Sequence, residues 1–398
     1  MNRKLISDWL FVASVAAGLF QSLALAGLVL ALLVRGNFGS MKWRTAHTFL
    51  ALAAAWAMGV VALRGGDTNG MLPYFSYLWF LPLLLAWYKP SDDTLRAFSW
   101  LIVGLFFADL LFNVYSSAVG RDLFGRIVDA REGVVGGRNG GLFAHSFYSG
   151  AISITAAITL LASRTGRWVA ALALVNLMLA GSWRLAVAIP IIFMFTLRWR
   201  TRSRRMELAL VLLLSVLIVL GVIATSGFVD NELEVNDSNK FRVYAWLLAL
   251  AKVATSPLIG VGFPSIGLIE GISFSSIDEN LVTESWYLGA AATFGIPYVV
   301  LFLGAFLTGF YGPDYGQRDL RRAIVFPFVI IDLTYGEFFG AVLVYTWLWL
   351  LICAPWRVAP PLRRPRRHRP IVRVEANGGP AGFSPPFAPP GSVLGARC

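Results

Sequence analysis

The sequence predicts an all-α, polytopic integral membrane protein, from its composition, its long apolar runs and the distribution of its charges. Hydrophobic residues make up 57% of the 398 positions and charged residues 14%, whereas soluble domains are about half apolar and a quarter charged. The mean hydropathy is +0.67. Nearly uncharged runs of about 18 residues or more recur along the chain, long enough to cross the hydrocarbon of a bilayer as helices.

These apolar runs predict about eleven transmembrane helices, and ten or twelve also fit the sequence. The first run follows the basic start Asn2-Arg3-Lys4 but is too long for a secretory signal, so it predicts a retained span. Gly181-Ser182-Trp183-Arg184 divides a later run into two helices, because an arginine at mid-membrane is costly. The predicted spans are Trp9–Val34, Ala46–Leu63, Met71–Tyr88, Ala97–Tyr115, Leu142–Ala162, Trp168–Gly181, Leu185–Leu197, Leu208–Thr225, Trp286–Tyr311, Ala323–Thr334 and Phe338–Ala354.

The charges predict the orientation, since Lys and Arg accumulate on the cytoplasmic side of membrane proteins. Basic loops at 198–205 and 318–322 are therefore expected in the cytoplasm, and the acidic segment 226–285 is expected to form one large loop on the opposite, extracytoplasmic side. Residues 1–355 then constitute the predicted transmembrane domain of a multi-pass protein. Residues 356–398 form a basic, Pro/Gly-rich tail that is predicted to be disordered and cytoplasmic.

The net charge is +12, and the basic residues responsible for it lie at span ends and in this tail. Membrane lipid, and not nucleic acid, is therefore the expected partner of these residues. The two cysteines, Cys353 and Cys398, provide neither a disulfide framework nor a metal-ligand spacing. The chain also lacks a Gly-rich phosphate loop and a His-Glu-x-x-His motif. We therefore expect no cofactor and no metal.

The large extracytoplasmic loop is predicted to contain an amphipathic helix over residues 241–254. Phe241, Tyr244, Leu247, Leu248 and Ala251 share one face, which is expected to lie on the membrane surface or to pack across the spans. Cationic residues open this helix, and they form the first candidate site together with the arginine of the Gly-Ser turn.

Arg184, Arg242 and Lys240 are the cationic candidates, because guanidinium groups match the oxygens of a phosphate or diphosphate. The alternative is that these side chains extend to lipid headgroups without a catalytic role. Glu284, at the start of a long apolar span, is the candidate general base. Alternatively, Glu284 has no catalytic role and only stabilises the N-terminus of the helix, where the helix dipole favours a negative charge.

Further candidates lie in two outside segments and within spans. Asn139 and His145 lie at the outside start of the predicted span Leu142–Ala162, and His145 has the chemistry for proton transfer, although a structural histidine is the alternative. Glu279 and Asp278 are weaker candidates, as solvated loop charges have the same pattern. The remaining candidates, which would mark a polar pathway, are Asp109, Asn113, Asp332 and Glu337.

Several of these segments resemble motifs of the O-antigen ligase and polysaccharide polymerase superfamily. Glu284 stands where the ligases carry histidine, Trp183 interrupts the Gly-Ser-Arg turn, and Ser146 replaces a proline, so the polymerase branch is the more similar. The motif segments are Gly141-Leu142-Phe143-Ala144-His145-Ser146, Gly181-Ser182-Trp183-Arg184, Arg242 with Trp246, Pro257 to Gly262, and Glu284-Ser285-Trp286-Tyr287-Leu288.

The resemblance implies an inverting, metal-independent glycosyltransferase of the bacterial inner membrane that polymerises undecaprenyl-diphosphate-linked oligosaccharides at the periplasmic face. It also implies that the large loop 226–285 is periplasmic. It implies catalytic roles for Glu284, Arg184 and Arg242, and substrate binding by His145, Asn139, Lys240, Tyr287 and Glu279. A chain-length regulator and a flippase of the same export pathway are the implied protein partners. The alternatives are an O-antigen ligase that transfers glycan to the lipid A core and a transporter or flippase of lipid-linked oligosaccharide.

Overall fold

In the computed structural model, every secondary-structure element of the described residues is a helix, which confirms the all-α prediction for that part of the chain. The chain divides into two units, Met1–Val358 and Ala359–Cys398, and all described residues belong to the first. The structure describes residues 3–17, 23–35, 41–64, 78–90, 92–120, 141–143, 146–162, 167–181, 204–224, 237–262, 285–311, 329 and 342–354.

The helices are numbered here in chain order, and one 3-10 helix, Gly141–Phe143, precedes α6. They are α1 Arg3–Ala17, α2 Leu23–Arg35, α3 Thr45–Arg64, α4 Leu81–Leu84, α5 Asp92–Val119, α6 Ser146–Ala162, α7 Arg167–Leu179, α8 Arg204–Ala224, α9 Asp237–Thr255, α10 Trp286–Phe294, α11 Ile296–Tyr311 and α12 Val342–Cys353.

Two helices of the described part are long and apolar enough to cross a membrane, by length and composition. They are Thr45–Arg64 and Arg96–Val119, with mean hydropathies of 1.8 and 1.9. Both coincide with predicted spans. Five further apolar helices are shorter, at 10–17 residues, so the predicted total of about eleven spans stays a prediction.

The first predicted span, Trp9–Val34, is wrong as a single helix, because α1 and α2 pack against each other as a hairpin. The Ser7 hydroxyl donates to the carbonyl of Ala31 over 2.7 Å, and Arg35 forms an ion pair with Asp8 at 3.2 Å. These contacts join the start of α1 to the end of α2. The apolar run is long enough to form two short helices, and hydropathy alone does not show where such a run reverses direction.

The predicted span Trp286–Tyr311 is also divided, at Gly295, into α10 and α11. The rings of Trp286 and Phe302 lie 4.4 Å apart, whereas 16 positions of one straight helix would separate these residues by about 24 Å. The two helices therefore fold back on each other. The chain reverses where Gly295 N–H closes α10 by donating to the carbonyl of Ala291 over 2.8 Å.

Helix α6 lies at the centre of the first unit, and all its residues from Ser149 to Thr159 are buried. It packs on α5 and α7, while α3 packs along α11. Hydroxyl groups inside α6 bond to the carbonyls four residues earlier, as Thr155 does to Ala151 over 2.8 Å. This pattern lets a helix bury polar side chains without leaving their hydrogen bonds unmade.

The predicted loop helix is confirmed as α9, although its buried face differs from the expected packing face. Tyr244 and Leu247 are 52% and 51% exposed, and the helix packs through Val243, Trp246 and Ala249. Packing across the other helices through the predicted face is therefore wrong. The other prediction, contact of this exposed face with the membrane surface, stays a prediction.

Candidate functional site

Of the predicted candidate residues, the structure describes the side chains of Arg242, Tyr287, Asp109 and Asn113. Lys240 lies in α9, where its backbone alone is described. The other predicted candidates fall outside the described residues: Glu284, Arg184, His145, Asn139, Glu279, Asp278, Asp332 and Glu337.

Arg242 is a buried cation, with only 3% of its surface exposed. Its neighbours on the same face of α9 are Val243 and Trp246, which form an apolar cluster with Val222 of α8. A guanidinium withdrawn from water this far requires compensating partners, because an isolated buried charge is very costly. The burial therefore distinguishes Arg242 from an arginine that only extends to headgroups.

The first turn of α10 lies level with Arg242. Leu288 packs against the cluster of Val243 and Trp246, and Ala292 packs against Ala249 further along both helices. The two helices thus run side by side in the same direction. One turn before Leu288, the buried Ser285 caps α10, since its hydroxyl accepts from Leu288 N–H at 3.5 Å.

Tyr287 links α10 to another part of the chain. Its hydroxyl donates to the carbonyl of Val329 over 2.9 Å, and its ring contacts Trp286 edge-on at 5.4 Å. The hydroxyl is therefore used in a structural hydrogen bond. A phenol oxygen can still accept a hydrogen bond when its proton is donated, so Tyr287 could also accept a hydrogen bond from a substrate.

The segment Pro257 to Gly262 closes the C-terminal end of α10. The last four carbonyls of a helix have no partner within it, and all four are satisfied here. Gly295 N–H donates to Ala291 within the turn, and Trp56 of α3 donates its indole N–H to Phe294 over 2.8 Å. Val261 N–H and Gly262 N–H donate to Ala292 and Thr293 over 2.8 and 3.1 Å.

Glycine is required where this closing segment meets α10. Gly260 has φ +62°, and a Cβ at this position would lie 2.7 Å from the carbonyl oxygen of Ala292 and nearer still to that of Thr293. The Pro-x-x-Gly-x-Gly pattern therefore has a local physical basis in this chain. It lets two backbone segments approach within hydrogen-bond distance and holds α10 beside α9.

A second group of polar residues is buried between α5, α6 and α7. Asp109, Asn113, Ser149, Ser153 and Asn176 are fully buried, on three different helices. We call these five residues the polar cluster. Asp109 and Asn113 follow the i, i+4 spacing that places them on one face of α5, and the carboxylate of Asp109 lies at the centre of the cluster.

The hydrogen bonds of the polar cluster converge on Asp109. Asn176 and Asn113 donate to its Oδ2 over 2.9 and 3.2 Å, and the Ser149 hydroxyl donates to the same oxygen. Asn113 also donates to Asn176 Oδ1 over 2.8 Å, and Asn176 to Ser153 Oγ over 2.7 Å. A carboxylate that accepts several hydrogen bonds can remain buried without a cation beside it.

The 3-10 helix Gly141–Phe143 rests directly on this cluster. Leu142 N–H donates to Asp109 Oδ1 over 2.9 Å. Gly141 has φ +52°, and a Cβ there would meet Asn113 at 2.9 Å and the Asp109 carboxylate more closely. The segment that the sequence marked as the start of a predicted span thus begins on a buried carboxylate, and α6 begins three residues after Phe143, at Ser146.

The predicted break at Gly181 is confirmed at the end of α7. Gly181 N–H donates to Met178, and Ala180 N–H donates to the backbone carbonyl of Asn176 over 2.9 Å. Asn176 therefore contributes its side chain to the polar cluster and its backbone to the last turn of the helix. The helix predicted on the far side of this break lies outside the described residues.

Sequence reasoning missed two parts of this arrangement. Asp109 and Asn113 were visible as polar residues in an apolar run, but their partners Ser149 and Asn176 gave no separate signal. The second omission is the ion pair of Asp8 with Arg35, whose side chains are 6% and 7% exposed. Tyr88 donates to Asp8 over 2.8 Å, and the Arg35 guanidinium lies 5.2 Å from the Tyr88 ring centre. Charges 27 positions apart pair only once the hairpin forms.

No group of three or more His, Cys, Asp or Glu side chains that could hold a metal ion occurs in the described part of the chain. In comparisons with protein-family models, with curated proteins and with solved structures, no match to this chain was found.

Proposed function

We propose that this chain is a polytopic inner-membrane glycosyltransferase that polymerises undecaprenyl-diphosphate-linked oligosaccharides into an exported polysaccharide. The observation that carries the proposal is the burial of Arg242 beside the first turn of α10, the helix that Glu284 precedes by two positions. A buried guanidinium level with that helix start provides the cationic half of a site. The carboxyl group of Glu284 would supply the other half.

The proposed chemistry needs these two charges for different steps. The diphosphate is the leaving group, and Arg242, together with Arg184, would stabilise the negative charge that develops on it. Glu284 would remove the proton from the attacking sugar hydroxyl. Direct attack breaks the bond from the anomeric carbon to the phosphate oxygen and forms the new glycosidic bond with inversion.

The distribution of polar and apolar side chains supports a location in the membrane. Along α8, Leu212, Leu213, Val216, Leu217 and Leu220 are each more than half exposed, whereas the polar cluster is fully buried. Soluble monomers rarely expose contiguous apolar surfaces of this kind. A bilayer would cover the face of α8 and leave the polar side chains to bond with one another.

Basic residues near the end of α12 support the proposed orientation. Lys42 N–H donates to the carbonyl of Ala86 over 3.0 Å, and Arg35 donates to the carbonyl of Lys89. Arg44 lies close enough to Cys353, the last residue of α12, to interact with it electrostatically. This end therefore carries an excess of Lys and Arg, as expected of a cytoplasmic face, and we propose that it faces the cytoplasm.

Extension of a lipid-linked substrate tests the proposal. We expect purified protein in nanodiscs to convert a matched undecaprenyl-diphosphate repeat unit into longer glycans. Failure to extend that substrate under conditions that keep the protein folded would overturn the proposal. In cells, deletion should leave single repeat units, whereas long glycans retained on the carrier lipid would indicate a ligase.

The polar cluster favours one second candidate, a transporter or flippase of lipid-linked oligosaccharide. Buried ionisable residues within membrane helices often mark a transport pathway, and Asp109 is fully buried within one of the two span-length helices of the described part. Reconstituted protein that moves a labelled lipid-linked oligosaccharide across vesicles, with unchanged rates in Arg242→Ala, would favour this function over the enzyme.

A further inference from the structure

We infer that Asp109 is a positioning residue, which fixes the described part of the connection entering α6, Gly141–Phe143, relative to the first residues of the connection leaving α7, Ala180 and Gly181. The inference deepens the proposed function and rests on it for one point, namely that these connections carry site residues. Asn139 and His145 belong to the first connection, and Arg184 belongs to the second. The hydrogen-bond geometry at Asp109 stands independently of that assignment.

The two oxygens of the Asp109 carboxylate hold different elements. Oδ1 accepts from Leu142 N–H in the 3-10 helix over 2.9 Å, and Oδ2 accepts from the Asn176 side chain in α7 over 2.9 Å. A carboxylate is planar and small, so the two donors are held within a few ångströms of each other. One side chain of α5 thereby joins the first connection to the last turns of α7.

Each hydrogen bond acts close to a chain segment that carries a candidate residue. His145 follows Phe143, the end of the 3-10 helix, by two positions. Asn176 donates its side chain to Asp109 while its backbone carbonyl accepts Ala180 N–H in the turn that ends α7. A movement of the carboxylate would therefore move both helix ends, with little intervening chain to absorb it.

The packing at Gly141 makes this linkage rigid. The backbone of Gly141 adopts φ +52° and lies so close to Asp109 and Asn113 that a Cβ would not fit. The 3-10 helix therefore contacts the cluster through its backbone, without a flexible side chain between them. Such contact transmits small displacements, because closely packed interiors have little free volume.

A polar cluster with a purely structural role would stabilise the helices without fixing the positions of the two connections relative to each other. Ser116 provides the matched control for this difference. It is fully buried on α5, one turn beyond Asn113, and its hydroxyl has no hydrogen-bond partner among the described residues. Ser116→Ala alters the same part of α5 without touching either bond of the Asp109 carboxylate.

The test exchanges the carboxyl group of Asp109 with the amide group of Asn176, its hydrogen-bond partner in α7. Full-length wild type, Asp109→Asn, Asn176→Asp, the double exchange and Ser116→Ala are compared in nanodiscs by hydrogen exchange and by glycan extension. An amide at position 109 has one acceptor oxygen and can satisfy Leu142 N–H or the Asn176 amide, but not both at once. We therefore expect Asp109→Asn to raise amide exchange about tenfold in both 141–148 and 177–186, and to lower kcat about tenfold with little change in KM. The double exchange should restore part of both readouts, because the amide placed at position 109 accepts from Leu142 N–H and donates to the carboxylate placed at position 176, whereas Asn113 loses the oxygen to which it donated.

Unchanged exchange in Asp109→Asn, or a double exchange that restores neither segment, would overturn the inference. If Asp109→Asn does not accumulate, Asn176→Ala replaces it, since this change cuts the link to α7 and leaves the Leu142 bond. Exchange should then rise in 177–186 and stay near wild type in 141–148, and an equal rise in both would also overturn the inference. Restored exchange without any glycan extension by wild type would instead reject the proposed function alone.

Discussion

Trp56 of α3 donates its indole N–H to the carbonyl of Phe294, the last residue of α10, over 2.8 Å. This bond connects residues 238 positions apart in the chain, and it completes the set of four satisfied carbonyls at the end of the helix. A helix can end away from water only where other protein groups replace the missing hydrogen bonds. The contact therefore explains how the chain reverses between α10 and α11.

The first prediction concerns the glycine that brings the closing segment against α10. Gly260→Ala should lower the melting temperature by several degrees, or about 1–3 kcal/mol, because alanine at φ +62° is strained and its Cβ meets the carbonyls of Ala292 and Thr293. Thermal unfolding in detergent or nanodiscs measures this change. Gly104→Ala is the control, because a Cβ there meets nothing within 4 Å among the described residues. Equal stability of the two variants would contradict the role of this segment.

A second prediction concerns the buried ion pair of the N-terminal hairpin. Arg35→Ala should destabilise the protein by about 3–5 kcal/mol, because Asp8 would keep a buried charge without its cation. Arg96→Ala should have no measurable effect, since Arg96 and its partner Asp93 are 77% and 69% exposed. Denaturant titration in mixed micelles compares them. The hairpin contact would be unsupported if Arg96→Ala proved the more damaging change.

The third prediction tests the hairpin against a single membrane-crossing helix. A Cβ at Gly27 would overlap the side chain of Ser14, so Gly27→Ala should destabilise the protein, while adding Ser14→Gly should recover most of the loss. In one continuous helix these positions would lie about 20 Å apart and could not compensate each other. A double-mutant cycle on the melting temperature measures the coupling. Strictly additive effects would favour the single helix.

The fourth prediction addresses the buried arginine of the proposed site. Arg242→Lys should accumulate normally and lose at least about tenfold of glycan extension, because lysine keeps the charge but not the bidentate fork. Arg242→Ala should abolish extension, as should Arg184→Ala. Arg366→Ala in the tail is the control and should retain wild-type activity. Gel profiles of the glycan measure the outcome, and wild-type chains from both Arg242 variants would remove this residue from the site.

Local sequence patterns predicted several elements well. The helix of residues 241–254 and the helix end before Gly181 were visible because amphipathic spacing and Gly-Ser turns act over a few residues. The same patterns failed for the run Trp286–Tyr311, since the sequence is apolar on both sides of Gly295. They also failed for the face of α9, where Arg242 is buried and Tyr244 is exposed. In a lipid environment, an apolar face need not be the face that packs against protein.

By itself, the sequence determined the helical class, the abundance of apolar helices and the candidate charges, because these depend on composition and on spacing within a helix. Tertiary structure decided that Asp8 pairs with Arg35, that Asp109 holds Leu142 and Asn176, and that Trp56 caps α10. Each of these contacts joins residues far apart in the chain. Their geometry depends on how helices pack, and the strength of a buried hydrogen bond or ion pair exists only after water has been excluded.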